Sequence, residues 1–111
     1  MTATTMNNIT VKILKEWMED STPYQLIDIR EPWEREIGHI DGSIHIMMST
    51  LLEKIEEVKR DCKVVIHCRS GARSAAVTHH LTTQLGFENI YNLEGGITAW
   101  AENIDPQVEI A

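Results

Sequence analysis

The stretch that most constrains this chain is Val64-Val65-Ile66-His67-Cys68-Arg69-Ser70-Gly71-Ala72-Arg73-Ser74. Three consecutive β-branched residues suit a strand covered on both faces, which is how the strands of a parallel sheet read. The apolar run stops at a cysteine, passes through a glycine with an arginine on either side, and enters the helix-forming segment Ser74-Ala75-Ala76. The loop therefore lies between the carboxyl end of a strand and the amino end of a helix. Ligands of open α/β sheets bind at such ends, where unpaired N–H groups and the helix dipole favour anions. Gly71 lets the backbone curl, so the amides between Arg69 and Ser74 are expected to form a nest around the sulfur. With Arg69 and Arg73 close by, the Cys68 thiol is expected to ionise more readily than a free cysteine. The plainer alternative, a buried thiol packed as a small hydrophobe, is disfavoured by the arginine-flanked glycine loop.

Cys68-Arg69-Ser70-Gly71-Ala72-Arg73 resembles the active-site loop of the rhodanese sulfurtransferases, in which a cysteine opens the loop and is followed by an arginine, any residue and a glycine. Two more segments share the likeness. Asp28-Ile29-Arg30-Glu31, Trp33 and Gly38-His39-Ile40-Asp41-Gly42-Ser43 are similar to the family's upstream signature, and Leu93-Glu94-Gly95-Gly96-Ile97-Thr98-Ala99-Trp100 to its carboxy-terminal one. The resemblance implies a sulfurtransferase with Cys68 as nucleophile, a substrate-binding loop of Arg69, Ser70, Gly71, Ala72, Arg73 and Ser74, and a supporting network built on Asp28 and Arg30. The bland reading of Asp28 and Arg30 is a solvated ion pair, worth little. Some two-domain relatives carry a substrate-contacting arginine where this chain has Glu34; Arg35 is its neighbour.

Taken in order, residues 1–8 read as a flexible segment, with a short edge strand near Asn8 and Ile9, and residues 9–102 as one rhodanese domain. Thr10 is placed to cap a helix carrying Val11, Leu14, Trp17 and Met18 at helical spacing, with Ile9 and Leu14 as its hydrophobic staple. Residues 25–29 read as a strand, 32–36 as one turn of helix and 43–46 as a short strand. Thr50 and Glu53 have capping-box spacing for a helix ending near Arg60. The strand at 63–67 and the loop follow. The next helix carries Ala75, Ala76, Val77, Leu81 and Leu85 and stops at Gly86. A last strand at 89–92, a helix at 97–102 with Trp100 in the core, and a surface tail at 103–111 complete the chain. The strand-helix alternation predicts a rhodanese-like α/β fold, a mostly parallel sheet of about five strands with helices on both faces.

Chain length and charge narrow the function. The 111 residues suit a single domain, and a formal net charge of −7 gives nucleic acid or an anionic membrane no electrostatic attraction. The two loop arginines make a local positive spot suited to a small anionic sulfur donor; a thiol or a protein cysteine is the expected acceptor. Two cysteines without a signal-like segment suggest a reducing, cytoplasmic compartment. No cofactor is expected. No metal is expected either, since His79 and His80 are adjacent on a helix and point apart. Two other functions fit part of the pattern. A phosphatase-like or arsenate-reducing enzyme shares the His67-Cys68 opening, but its loop is one residue longer than the four between Cys68 and Arg73. A binding module of the same fold turns nothing over, and such modules often lack the cysteine. The sequence leaves the oligomeric state open, and leaves open whether Arg73 binds the donor or braces the loop against a carboxylate such as Asp28.

Overall fold

The computed structural model of the protein describes residues 7–111. Its elements are β1 (Asn8–Ile9), α1 (Val11–Glu19), β2 (Tyr24–Asp28), α2 (Pro32–Ile37), β3 (Ser43–His45), a 3-10 segment (Met48–Glu57), β4 (Lys63–His67), α3 (Ala72–Gln84), β5 (Ile90–Leu93) and α4 (Gly96–Asn103). The sheet has five strands in the order β1-β5-β4-β2-β3. Every pairing in it is parallel, so the mostly parallel sheet expected from the sequence is wholly so.

Strand alternation divides the core in two. Ile27, Ile29, Val64, Ile66 and Cys68 face one way and pack with Leu51 and Val58 and with Val77 and Leu81 of α3. Leu26 and Val65 face the other way and pack with Val11 and Leu14 of α1 and Ile97 and Trp100 of α4. Helices thus cover both faces, and β4 runs through the middle with Val64, Val65 and Ile66 fully buried. Because all strands run the same way, their carboxyl ends gather at one edge, and β4 delivers Cys68 to the centre of it.

Thr10 caps α1 as expected, its hydroxyl accepting the Ile13 amide at 3.2 Å. Two other expectations need correcting. The Thr50–Glu53 capping box does not form. Thr50 Oγ1 instead donates back to the Met47 carbonyl, and the segment is 3-10 in character, kinked at Lys54 and finished at Glu57. Residues 103–111 are not simply a surface tail, because Ile104, Val108 and Ile110 pack against the α1/α4 core. Of the flexible segment expected over residues 1–8, Met1 to Met6 lie outside the described residues; Asn8 is paired in β1 beside Asn92.

Candidate active site

Cys68 immediately follows the last residue of β4 and is 1% exposed. Its sulfur takes the place of a helix cap. Gly71, the residue before α3, has φ +110°, a conformation open to glycine at little cost, and supplies no side chain to cap the helix. Cys68 Sγ fills that role, accepting the Gly71 amide at 3.1 Å and the Ser74 amide at 3.4 Å. Burial pushes the thiol pKa up. The Ser74 hydroxyl and the amides of Ser74, Gly71 and Ser70 outweigh it, and the net shift is downward.

The loop's carbonyls are held on the opposite side. Gly95 and Gly96 turn the chain with φ +76° and +54°, so that the first amides of α4 reach back to the loop. Ile97 N–H donates to the Cys68 carbonyl and Thr98 N–H to the Arg69 carbonyl, each at 3.0 Å, and Thr98 Oγ1 adds a bond to Arg69 O at 2.9 Å. Tying the Arg69 carbonyl to α4 fixes the Arg69–Ser70 peptide, whose amide also acts on the sulfur. The carboxy-terminal motif thus acts on the cysteine through the backbone; Trp100 itself is core packing, 5% exposed.

Asp28 and Arg30 are both fully buried, which excludes the solvated pair. Arg30 Nε and Nη2 grip both carboxylate oxygens at 2.9 and 3.0 Å, and Nη2 also holds the Gly38 carbonyl at 2.8 Å. Burial raises the Asp28 pKa, the Arg30 hydrogen bonds lower it further, and it settles at about 2. Arg35 completes the cluster, donating to Asp28 Oδ2, Ser43 Oγ and the Ser43 carbonyl. Its guanidinium is occupied in fixing α2 to β2 and β3.

Arg73 does not pair with Asp28. It makes a two-pronged bond with Glu34 of α2 at 2.8 and 2.9 Å, which lowers the Glu34 carboxyl and raises the Arg73 guanidinium. Glu34 is 4% exposed, and its Oε1 also accepts the Glu31 amide. Arg73 is therefore a brace between α3 and α2. Arg69 is exposed and makes no side-chain bond among the described residues, which leaves it the free cation of the loop. Ser70 and Ala72 are exposed, while Gly71 and Ser74 lie inside beside the sulfur.

Of two further buried polar residues at the site, sequence reasoning missed Asn92 and read His67 only as part of a phosphatase-like opening. Asn92, 5% exposed, accepts the Ser74 hydroxyl at 2.5 Å. Its signal was an amide inside the apolar strand Ile90–Leu93, on the face that Ile66 and Cys68 share. His67, fully buried, contacts the Cys68 carbonyl through Nδ1 at 3.2 Å, and burial lowers its pKa to about 4. A neutral ring donates there from Nδ1 and leaves Nε2 a bare acceptor. Among the described residues, no group of three or more His, Cys, Asp or Glu side chains could hold a metal, and His79 and His80 are both exposed.

A parallel sheet that brings a cysteine to the head of an amide-lined loop, with helices on both faces, defines a class. Residues 10–103 match the family model described as a rhodanese-like domain, and the chain belongs to that family. It is 38% identical over 102 residues to the putative sulfurtransferase YtwF of Bacillus subtilis, covering 92% of this chain and 97% of that one. It is 34% identical over 104 residues to the probable adenylyltransferase/sulfurtransferase MoeZ of Mycobacterium tuberculosis, covering 92% of this chain but only 26% of that longer protein. The crystal structure of a rhodanese-related protein from Thermoplasma volcanium superposes with a TM-score of 0.77 at 36% identity, covering 95% of this chain and 99% of that one. The relatives' names support a transferase of this family. Among the described residues no helix is long and apolar enough to cross a membrane.

Proposed function

We propose that the protein moves sulfane sulfur from a small anionic donor to a thiol acceptor through a persulfide on Cys68. The observation that carries this reading is the pair of amides, Gly71 and Ser74, aimed at Sγ. Donors fixed in place before charge arrives stabilise it without reorganisation. With thiosulfate as donor, the Cys68 thiolate attacks the outer sulfur. An S–S bond forms at Sγ, the bond to the sulfonate sulfur breaks, and sulfite leaves with the electron pair. The terminal persulfide sulfur is then attacked by an acceptor thiolate or cyanide, and Sγ departs as thiolate. Neither step requires a general base once the thiol is ionised, which fits His67 being neutral and hydrogen-bonded to backbone. Arg69 draws the anionic donor to the mouth. Asp28 and Arg30 act one layer below, holding the strand ends and Gly38 in place. Cys62 and Cys68 are both unpaired, in keeping with work in a reducing, cytoplasmic compartment.

The test is intact-protein mass spectrometry of reduced protein after incubation with thiosulfate, mercaptopyruvate or a persulfide, beside Cys68→Ser. The expected result is a gain of one sulfur that needs Cys68 and is removed by cyanide as thiocyanate. No gain from any of the three would overturn the proposal.

A further inference from the structure

Sulfur transfer leaves one buried titratable side chain without a task, His67. Among the described residues, three buried side-chain atoms have no hydrogen-bond partner: Arg30 Nη1, His67 Nε2 and Thr78 Oγ1. Thr78 is on α3, which packs Val77 and Leu81 against the face of the sheet that carries Cys68. The other two belong to the opposite face. Asp28 and His67 are register partners on the neighbouring strands β2 and β4, so their side chains project to the same side. Arg30, two residues beyond Asp28, shares that side and folds back onto the carboxylate. Val65, two residues before His67, packs there toward α1 and α4.

Proton counting makes the two atoms complementary. Nε of Arg30 donates to Asp28 Oδ1, and Nη2 divides its two protons between Asp28 Oδ2 and the Gly38 carbonyl. Both protons of Nη1 are left unspent. His67 Nδ1 faces the Cys68 carbonyl, which can only accept, so the proton of the neutral ring sits on Nδ1 and Nε2 presents a lone pair. Both residues are fully buried, and a donor without an acceptor or an acceptor without a donor weakens the fold in a dry interior. No direct bond joins the two. One water molecule can, by accepting from Nη1 and donating to Nε2.

We propose that one buried water molecule bridges Arg30 Nη1 and His67 Nε2, and that His67 is a positioning residue through which the Asp28–Arg30 pair holds the Cys68 carbonyl. The path runs from Asp28 and Gly38 through Arg30 and the water to the imidazole, and from Nδ1–H to Cys68 O. That carbonyl is then gripped twice, by His67 at 3.2 Å and by Ile97 N–H at 3.0 Å. It belongs to the peptide that leads into the loop, so the plane of that peptide sets where the following amides stand relative to Sγ. No proton is transferred along the path. The proposal rests on the sulfur-transfer reading for its use in catalysis, and its test is made on the bare thiol. The charged groups that bear on the ring are Asp28 and Arg30 at the end of β2 and Arg35 of α2. Val11, Leu14, Ile97 and Trp100, which pack on this face from α1 and α4, are apolar.

A crystal structure of the wild-type protein is expected to show one ordered water within about 3.2 Å of both Nη1 and Nε2. No water there, or direct contact between the two nitrogens, would overturn the bridge. The positioning role is read from the ultraviolet thiolate absorbance in a Cys62→Ser background, which leaves Cys68 as the only thiol. His67→Asn keeps an amide N–H where Nδ1 stood and has no atom at Nε2; His67→Gln reaches the Nε2 position and has no donor at Nδ1. The glutamine variant should raise the midpoint by about half a pH unit, equivalent to about threefold less thiolate below the midpoint, and asparagine should return it close to wild type. Arg30→Lys keeps a cation against Asp28 but loses Nη1. It should raise the midpoint while His67 is present and leave it unmoved in His67→Asn, whose amide needs no bridge. Equal midpoints for the asparagine and glutamine variants, or the same Arg30→Lys rise in both backgrounds, would overturn the positioning role. The crystal structure and the asparagine–glutamine comparison decide the matter even where Arg30→Lys does not fold. Absence of a persulfide in wild-type mass spectra would remove the proposed function yet leave these readouts interpretable.

Discussion

Gly96→Ala tests whether α4 shapes the sulfur cradle. A Cβ built on Gly96 meets Cys68 O at 2.4 Å and Arg69 O at 2.6 Å, and the residue has φ +54°. Relieving the first contact even to a tight 3.0 Å moves the Cys68 carbonyl by about 0.6 Å. That stretches its 3.0 Å bond from Ile97 N–H past hydrogen-bonding range. Gly86 supplies the control. Its φ is +72°, but nothing lies within 4 Å of its added Cβ, so Gly86→Ala carries only the left-handed backbone penalty. That penalty is about 1 kcal/mol after the gain from a stiffer unfolded chain. Gly96→Ala adds the collision and the lost loop bond and should cost about 3 kcal/mol. At roughly 4 °C per kcal/mol for a chain of this length, calorimetry should place Gly86→Ala about 4 °C and Gly96→Ala about 12 °C below wild type. The thiolate midpoint should rise in the second variant alone, since its loop amides are no longer held toward sulfur. Two alanine variants with the same melting temperature and the same thiol titration would refute the coupling of α4 to the cysteine.

Two further outcomes follow from the charges. Glu34→Gln removes the anion that neutralises Arg73, so the KM for thiosulfate should fall about two- to fivefold at low salt and the gain should vanish at high salt; steady-state rates with cyanide as acceptor measure it, and an unchanged KM would show that Arg73 has no access to the donor. Acid sensitivity should come first from His67, whose unfolded ring takes a proton below about 6.5 while the buried ring resists until about 4. Stability is therefore whole above pH 6.5 and falls toward pH 4, by about 3 kcal/mol in all, and urea unfolding at several pH values should show this slope in wild type and lose it in His67→Asn. Asp28, held at about 2, adds a second loss only below its ordinary value of 3.8.

The fold was legible wherever one physical signal acted alone. β4 was bounded correctly because an unbroken β-branched run admits few conformations other than a doubly covered strand, and α1 because Thr10 and the Val11, Leu14, Trp17 spacing agree. The segment after β3 was misread because its cap was local in sequence but not in structure. Thr50 met the Met47 carbonyl before it could reach forward, and Leu51 and Val58 are held by the sheet rather than by helix periodicity. The carboxy-terminal stretch misled for a related reason: Pro106 and the charges around it look solvated, yet Ile104, Val108 and Ile110 find a core made by residues far back in the chain.

At the site, what the sequence exposed was the backbone chemistry, because a glycine between two arginines after a cysteine is readable without partners. What it concealed was which carboxylate each arginine meets. Asp28 and Glu34 were both visible as acids, and nothing in one dimension says that Asp28 is already shared by Arg30 and Arg35 while Glu34 waits for Arg73. That assignment changes the chemistry. With Arg73 neutralised, the loop offers a donor one free cation rather than two, and a dianion such as thiosulfate loses part of the attraction that the sequence promised. The amides bind the sulfur whatever it was attached to. Under the proposed sulfur transfer, an amide-lined cradle with a single free arginine at its mouth should discriminate less by donor charge than a two-arginine site, and singly charged persulfides should serve as donors in the mass-spectrometric assay.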